Sequence, residues 1–277
     1  MKIVVDNGGT KSDWAVISSG EYFTANSINV FGPESEILVE LKKNLANKFF
    51  HTKKCSLYFY TTGATESVVL KLTNLFNSHF PNITINIYSD MLGASRALFQ
   101  KKPGIACILG TGSNCAYYDG EKNHHLEPSL GYLFGDEGSG YCLGKRILGK
   151  YFKEELSIDL NQSLEEYTTL QREQLLSKIY SSSNPKFFIA SFSKFLKKNE
   201  SNPQIQAIIF ESINSFLNMY PLKYLEFHGN KIGSRNVGFV GSVSLNFAYC
   251  IEKIMNSHDV YFTIVDKPIQ GLIKYYQ

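Results

Sequence analysis

Short apolar runs alternate with longer stretches of helical periodicity in the first hundred residues. Four apolar runs have strand character, and a glycine-rich bend joins the first two. Because strands alternate with helices, the pattern indicates an α/β fold whose sheet is partly parallel. The predicted segments are strands at 2–6, 14–18, 55–65 and 83–90, and helices at 35–50, 66–80 and 91–99.

A second cycle of this pattern begins after Lys101-Lys102-Pro103-Gly104. Residues 105–120, IACILGTGSNCAYYDG, again form an apolar strand, a glycine-rich bend and an apolar strand, as residues 2–20 do. Two copies of one unit predict a duplicated fold, with domains at 1–104 and 105–277. The second domain contains a mostly helical region at 151–228, where Asn184-Pro185 and Asn202-Pro203 each predict a helix capped by asparagine. The final helix is a candidate to pack back on the first domain.

Composition limits the class of protein. The 277 residues are 43% hydrophobic and carry a net charge of +3 without a long Lys/Arg run, which argues against nucleic acid as a partner. No apolar stretch approaches the roughly 20 residues that span a bilayer, and no signal peptide is recognisable. The five cysteines are scattered without metal-binding spacing. The chain is therefore predicted to be a cytoplasmic protein with reduced thiols.

The first bend, DNGGTKS at residues 6–12, concentrates groups that bind anions and metal ions. Its members are Gly8 and Gly9, which expose backbone N–H groups, Thr10 and Ser12, which carry hydroxyl donors, and Lys11, which is cationic. Asp6 would repel a bare phosphate but suits a magnesium ion with its waters. The alternative is a type I′ hairpin that happens to carry polar side chains.

The second bend has the same composition in the same setting, at Thr111, Gly112, Ser113 and Asn114. Two such bends predict a clamp that holds one polyphosphate from both sides. Neither bend fits the P-loop or the dinucleotide-binding fingerprint.

Two further glycine-rich segments precede helices. Gly135-Asp136 leads into a helix whose free N–H groups and dipole favour an anion or a hydroxyl, the alternative being a loop in which Ser139 or Asp136 only caps the helix. Gly241-Ser242 follows an apolar strand and suits a flat ring or a ribose lying on bare backbone.

Asp90 ends a predicted strand and begins a predicted helix. It is either a simple N-cap or a ligand-binding carboxylate, because α/β sheets bind ligands at the carboxyl ends of their parallel strands. A carboxylate there can accept the proton of an attacking hydroxyl in phosphoryl transfer.

The segments DNGGTKSDW, ILGTGSN, GDEGSG and VGFVGSV, in this order, resemble the phosphate-1, phosphate-2 and adenosine motifs of the actin-like ATPase/sugar kinase superfamily. Within it, the chain resembles the BadF/BadG/BcrA/BcrD-type ATPase family, and most of all its N-acetylglucosamine kinases. The resemblance implies two RNase-H-like domains with a nucleotide and sugar cleft, ATP and Mg²⁺ as cofactors, and an amino sugar as substrate. Homodimers are common in this family.

The resemblance also implies roles for individual residues. Asp90 in YSDMLGAS matches the catalytic base, and Asp6 matches the acid that organises Mg²⁺. ATP-binding positions are Gly8, Gly9, Thr10, Lys11, Thr111, Gly112, Ser113, Asn114, Gly241 and Ser242. Substrate-binding positions are Asn29, Thr62, Gly63, Asp90, Thr111, Gly135 and Asp136. Asp13 and Trp14 are expected to lie outside the site, with Trp14 in the core.

Phosphorylation of an amino-sugar hydroxyl, at O6 of an N-acetylglucosamine-like sugar, is the function this resemblance implies. The alternative is an ATP-hydrolysing switch or activator of the BadF type that acts on a protein partner. N-acetylglucosamine, glucosamine and N-acetylmuramate all remain open as substrates, and so does the oligomeric state.

Overall fold

The computed structural model describes residues 1–45, 54–228 and 236–277. The chain forms two compact units. The first unit comprises residues 1–104, 118–124 and 267–277, and the second comprises residues 105–117 and 125–266. The segment 46–50 of the predicted helix 35–50 lies outside the described residues.

The strands and helices follow the predicted alternation, but the second strand begins at Lys11 instead of Trp14, and the strand Tyr22–Asn26 was not predicted. The strands are β1 (Lys2–Asn7), β2 (Lys11–Val16), β3 (Tyr22–Asn26), β4 (Cys55–Thr61), β5 (Ile83–Ser89), β6 (Gly104–Leu109), β7 (Ser113–Tyr118), β8 (Asn123–His124), β9 (Val237–Val240) and β10 (Phe262–Val265). The helices are α1 (Glu34–Leu45), α2 (Glu66–His79), α3 (Asp90–Phe99), α4 (Gly131–Phe134), α5 (Gly140–Phe152), α6 (Ile158–Thr168), α7 (Arg172–Ser181), α8 (Pro185–Ser191), α9 (Ser193–Lys198), α10 (Pro203–Met219), α11 (Pro221–His228), α12 (Ser242–Asn246), α13 (Ala248–Ser257) and α14 (Pro268–Tyr276).

The first unit contains a five-stranded sheet in the order β3-β2-β1-β4-β5. Strands β1, β4 and β5 are parallel, and β1, β2 and β3 form an antiparallel meander. The parallel strands end in register, since Asn7 pairs with Thr61 and Thr61 pairs with Ser89. The residues that follow the three strands therefore meet at one edge of the sheet.

Successive side chains of a strand point to opposite faces of the sheet, so the strands supply apolar side chains to both faces. Two helices cover each face. Trp14 and Phe59 face one core, which α1 and α2 complete. Val4 and Tyr60 face the other, which α3 and α14 complete. The full burial of Trp14 confirms that it is a core residue.

The second five-stranded sheet has the order β10-β9-β6-β7-β8. Strands β9 and β10 and most of β6 and β7 belong to the second unit, whose large apolar core is supplied mainly by its helices. Strands β6, β9 and β10 are parallel. Two five-stranded sheets flanked by helices confirm the α/β prediction. Asn202 caps α10 by accepting a hydrogen bond from the Gln204 N–H at 2.9 Å, but the Asn184 side chain makes no such cap, so that detail of the prediction is wrong.

Among the described residues, no helix combines the length and the apolar character that crossing a membrane requires.

Candidate functional site

The carboxyl edge of the first sheet brings together the residues after β1, β4 and β5. The Thr62 hydroxyl, which follows β4, donates a hydrogen bond of 2.8 Å to Oδ2 of Asp90, which follows β5. Oδ1 of Asp90 accepts from the Met91 N–H at 2.8 Å. The N-cap of α3 is Ser89, whose hydroxyl accepts from the Leu92 N–H at 3.2 Å. Asp90 is therefore the first helical residue rather than the cap, which removes the simple N-cap interpretation.

Asp6 interacts electrostatically with Asp90 and with a third carboxylate, Asp13. Asp6 on β1 pairs directly with Asp13 on β2, so both side chains lie on the same face of the sheet. Asp13 is buried, accepts a hydrogen bond of 2.5 Å from the Thr24 hydroxyl, and lies 3.6 Å from Nζ of Lys11. The strand register places Asp13 beside Asp6, and the expectation that Asp13 lies outside the site stays a prediction.

Burial, as the largest cause, and the charges of Asp13 and Asp90 together raise the pKa of the Asp6 carboxyl to about 7, although the charge of Lys11 acts to lower it. The carboxyl of Asp6 thus interacts unfavourably with the charges of two other acids, and a divalent cation would relieve this repulsion. Among the described residues no three potential ligands converge as a complete metal site. Magnesium is usually held by one or two carboxylates together with waters and substrate phosphates, and Asp6 fits that partial role.

The loop between β1 and β2 is a tight hairpin. The Gly8 N–H donates to the Lys11 carbonyl at 3.0 Å, which leaves Gly9 and Thr10 at the tip. A type I′ turn needs positive φ at both tip residues, and Thr10 is not among the described residues with positive φ. The alternative interpretation, a type I′ hairpin that happens to carry polar side chains, is therefore wrong. Gly9, Thr10 and Lys11 are exposed, so the tip is accessible to a ligand.

Ser12 does not serve as the hydroxyl donor that the sequence suggested. It is fully buried, donates to the Asn26 carbonyl at 2.8 Å and accepts from the Trp14 indole N–H at 2.9 Å. These two bonds make Ser12 a structural residue of the sheet.

Asn7 fixes the segment that carries Asn29. Its side-chain oxygen accepts from the Ile28 N–H at 2.8 Å, and its amide donates to the Ile28 carbonyl at 2.9 Å and to the Thr61 hydroxyl at 3.0 Å. Asn29, the next residue, is exposed, and its side-chain oxygen accepts from the Phe31 N–H at 3.2 Å. A buried amide thus links β1, β4 and the predicted sugar-contacting segment.

Gly63 lies under the ring of Phe31. Its φ is +71°, and a Cβ atom at this position would lie 2.2 Å from Cζ of Phe31. Only glycine allows both this backbone conformation and this contact.

The second loop, between β6 and β7, is held by the first turn of α5. The Gly140 N–H donates to the Gly110 carbonyl at 2.8 Å and the Tyr141 N–H to the Thr111 carbonyl at 3.1 Å. Ser139 caps α5 by accepting from the Cys142 N–H at 3.1 Å. The expectation of free N–H groups at this helix end is therefore wrong, because they already orient the loop.

Asp136 lies beside the second loop. It is buried, its Oδ1 accepts from the Ser113 N–H at 3.1 Å, and its Oδ2 lies 2.9 Å from Nζ of Lys186 on α8. Its φ of +61° is in the left-handed region, which non-glycine residues seldom adopt. Asp136 thus has a constrained backbone, and its two carboxylate oxygens contact the second loop and the Lys186 ammonium.

The remaining predicted positions surround this loop. Gly241 has a φ of +110°, and a Cβ atom there would lie 2.4 Å from the Leu109 carbonyl oxygen, so the β9–α12 turn packs directly on the loop. Ser242 begins α12 and is exposed. Gly135 ends α4 next to Asp136, and the Asn114 side chain accepts from the Cys115 N–H at 2.8 Å.

Three residues that sequence reasoning missed belong to these two clusters: Asp13, Asn7 and Lys186. The alternation of side chains along β2 could have predicted the position of Asp13, since it pairs with Asp6 and their side chains lie on the same face of the sheet. Lys186 had no local signal, because it lies about fifty residues from Asp136 in the sequence.

A solved structure from Porphyromonas gingivalis, of a protein provisionally named an N-acetylglucosamine kinase, is 28% identical to this chain with a TM-score of 0.88. The alignment covers 100% of this chain and 98% of that one. A second structure with that provisional name, from Chromobacterium violaceum, has a TM-score of 0.76 at 16% identity, covering 100% and 98%, and shows the fold alone. Solved actin-like ATPases share the fold at lower similarity. These comparisons confirm the fold class and the resemblance drawn from the motifs.

A curated relative from Clostridium acetobutylicum, an N-acetylmuramic acid/N-acetylglucosamine kinase, is 33% identical over 100 residues. That match spans 34% of this chain and 33% of the relative. No protein-family model matches the chain.

Proposed function

We propose that this protein is an ATP-dependent kinase that phosphorylates a hydroxyl of an amino sugar, O6 of an N-acetylglucosamine-like substrate. The observation that carries the proposal is the position of Asp90 at the carboxyl edge of three parallel strands, where its charge acts on the carboxyl of Asp6. The full-length likeness to a structure named as a kinase of this sugar supports the same function. The proposed substrates are the amino sugar and ATP.

In this proposal Asp90 orients the sugar hydroxyl and accepts its proton as the oxygen attacks the γ-phosphorus. The hydrogen bond from Thr62 holds one carboxylate oxygen of Asp90 at 2.8 Å and fixes the direction of the other. A positioned general base of this kind contributes roughly 10²- to 10⁴-fold to a rate.

Asp6 is the residue proposed to organise Mg²⁺, which would neutralise phosphate charge when bound. The raised pKa of Asp6, about 7, reflects its burial first and the neighbouring acids second, and a bound cation would favour its ionised form. Lys11, at the exposed loop, supplies a positive charge to the same region.

Backbone N–H donors are proposed to position the phosphates and stabilise their charge, because phosphoryl transfer depends mainly on these two effects. The proposed donors are the first loop, at Gly8, Gly9 and Thr10, and the second loop, at Thr111–Asn114, with Gly241-Ser242 against the nucleoside. The contact of one nucleotide with both loops is an expectation from the resemblance. Asn29, Gly63, Gly135 and Asp136 are the proposed sugar contacts.

The direct test measures ADP release with ATP-Mg²⁺ in the absence of sugar and with each of N-acetylglucosamine, glucosamine and N-acetylmuramate. We expect one or more sugars to raise the rate at least tenfold over the sugar-free rate. An ATP turnover that none of these sugars changes would instead favour the nucleotide-dependent switch.

A further inference from the structure

Lys186 places a positive charge directly on the second phosphate loop. A Cβ atom added to Gly112 would lie 3.0 Å from Nζ of Lys186 and 2.7 Å from Oδ2 of Asp136, so the ion pair rests on the bare backbone of the loop. The ring of Tyr132 flanks the same ammonium group, with its centroid 5.6 Å away. The sequence assigned Lys186 only to a helical region without a role.

The loop at this point offers further anion donors. Among the described residues, the N–H groups of Thr111 and Gly112 donate to no protein acceptor, whereas the carbonyls of Gly110 and Thr111 are already bound by α5. The loop therefore presents amides rather than carbonyls, beside a lysine. Backbone amides with a lysine are a common phosphate-binding combination.

The side chain of Lys186 is also able to exchange partners. It is 25% exposed, whereas the Asp136 carboxylate is only 5% exposed. A lysine ammonium is carried on a flexible four-carbon stem with three rotatable donors, so it can turn from the carboxylate toward a phosphate oxygen. A phosphoryl group carries more negative charge than one carboxylate and competes well for this ammonium.

We propose that Lys186 binds the phosphates of the nucleotide at the second loop and that its pair with Asp136 is the ligand-free arrangement. When phosphate takes the ammonium, Oδ2 of Asp136 becomes available to a sugar hydroxyl. Nucleotide binding and sugar binding are then coupled, because the Lys186 ammonium moves from Asp136 to a phosphate and no proton is transferred. This inference rests on the proposed function, because it assigns Lys186 to the nucleotide of that same site.

The test is calorimetric binding of ADP and of adenosine to the full chain, without sugar. We expect Lys186→Met to weaken ADP binding about 10- to 100-fold, the loss typical of one charge-assisted contact, and to leave adenosine binding unchanged. Lys186→Arg, which keeps the charge, should recover most of the ADP affinity. Lys178→Met is the matched control, since Nζ of Lys178 also lies over a ring, that of Phe188 at 5.2 Å.

Removing Lys186 leaves the buried Asp136 carboxylate without its cation, which can itself destabilise the fold. The double variant Lys186→Met/Asp136→Asn carries no such charge and should show the same selective loss of ADP affinity. Wild-type levels of ADP binding in both variants would overturn the inference and leave the kinase proposal intact. Failure of the wild-type protein to bind ADP would overturn the kinase proposal itself.

A second readout tests the coupling. In the wild-type protein ADP should raise the affinity for N-acetylglucosamine at least threefold, and Lys186→Met should abolish that increase. An unchanged increase in the variant would contradict the exchange of partners.

Discussion

The two hairpin loops share a sequence pattern, but their surroundings differ. The first loop has an exposed tip and stands beside three carboxylates, Asp6, Asp13 and Asp90. The second loop is fastened by α5, covered by Gly241 and accompanied by the Lys186–Asp136 pair. Acids therefore predominate around the first loop, whereas the second loop carries one buried carboxylate that is paired with a lysine.

The difference suggests a division of labour. Acids near the first loop can hold a metal ion and accept a proton, which are steps of the chemistry. The second loop is held in place by packing and lies beside a positive charge, so it is suited to binding phosphate. We therefore expect changes to the acids Asp6 and Asp90 near the first loop to lower kcat, and changes to the second loop to lower nucleotide affinity.

The largest effect is expected from Asp90→Asn, which keeps the shape of the side chain but removes the base. Turnover with ATP and the best sugar should fall at least about 10³-fold, within the range that a general base contributes. ATP affinity, measured by calorimetry, should stay within threefold of wild type. Glu66→Gln, an exposed acid in the first turn of α2, is the control and should keep full turnover. Near-normal turnover of Asp90→Asn would remove Asp90 from the mechanism.

The next effect concerns the second loop. Gly241→Ala forces a methyl group against the Leu109 carbonyl at a φ of +110°, so we expect ATP affinity to fall about 100-fold, or about 2.8 kcal/mol. Gly20→Ala is the matched control, because Gly20 also has positive φ, +72°, but has open space around it. If both variants bind ATP equally well, the close packing of Gly241 on the loop is irrelevant to binding.

A smaller effect is expected from Thr62→Val, which removes the hydroxyl that donates to Asp90. The value of kcat should fall about tenfold with little change in ATP affinity, because one neutral-to-charged hydrogen bond contributes about 1.5 kcal/mol or more. Thr62→Ser restores the hydroxyl and should recover most of kcat. Equal rates for the valine and serine variants would show that the bond does not position Asp90.

The smallest effect is a stability change in metal-free protein. The pKa of Asp6, about 7, lies above the ordinary value of 3.8, so its ionisation disfavours the fold, and stability is lost as the pH rises through 7. In EDTA at pH 8, Asp6→Asn should raise the Tm by about 3 °C, which corresponds to about 1 kcal/mol in a chain of this size.

This advantage of Asp6→Asn should disappear near pH 4, where the wild-type carboxyl is protonated. A lower Tm for the variant at pH 8, or a gain that does not depend on pH, would show that Asp6 carries no electrostatic strain.

Much of the first unit was predictable from the sequence, because its elements are local. Apolar alternation and spacing identified the strands on either side of Asp6 and the strand and helix that meet at Asp90. The position of Asp90 followed from a general rule about parallel strands. The division of the chain into domains at residue 104 stays a prediction.

What could not be predicted depends on contacts between distant segments or on competition for one group. Ser12 looked like a phosphate donor, but the Asn26 carbonyl and the Trp14 indole occupy its hydroxyl. The first-turn amides of α5 looked free, but they bind the second loop. Lys186 reaches Asp136 only through the packing of a helix that has no glycine-rich signature. Local composition identifies which groups can bind a ligand, but it does not reveal which ones the protein already uses.

The most direct test of the central claim is the identity of the phosphorylated product. The protein is incubated with ATP-Mg²⁺ and N-acetylglucosamine, and the reaction is followed by ³¹P NMR. We expect a phosphomonoester signal split by the two protons on C6, and no such signal with Asp90→Asn. Consumption of ATP that yields only ADP and inorganic phosphate would contradict it.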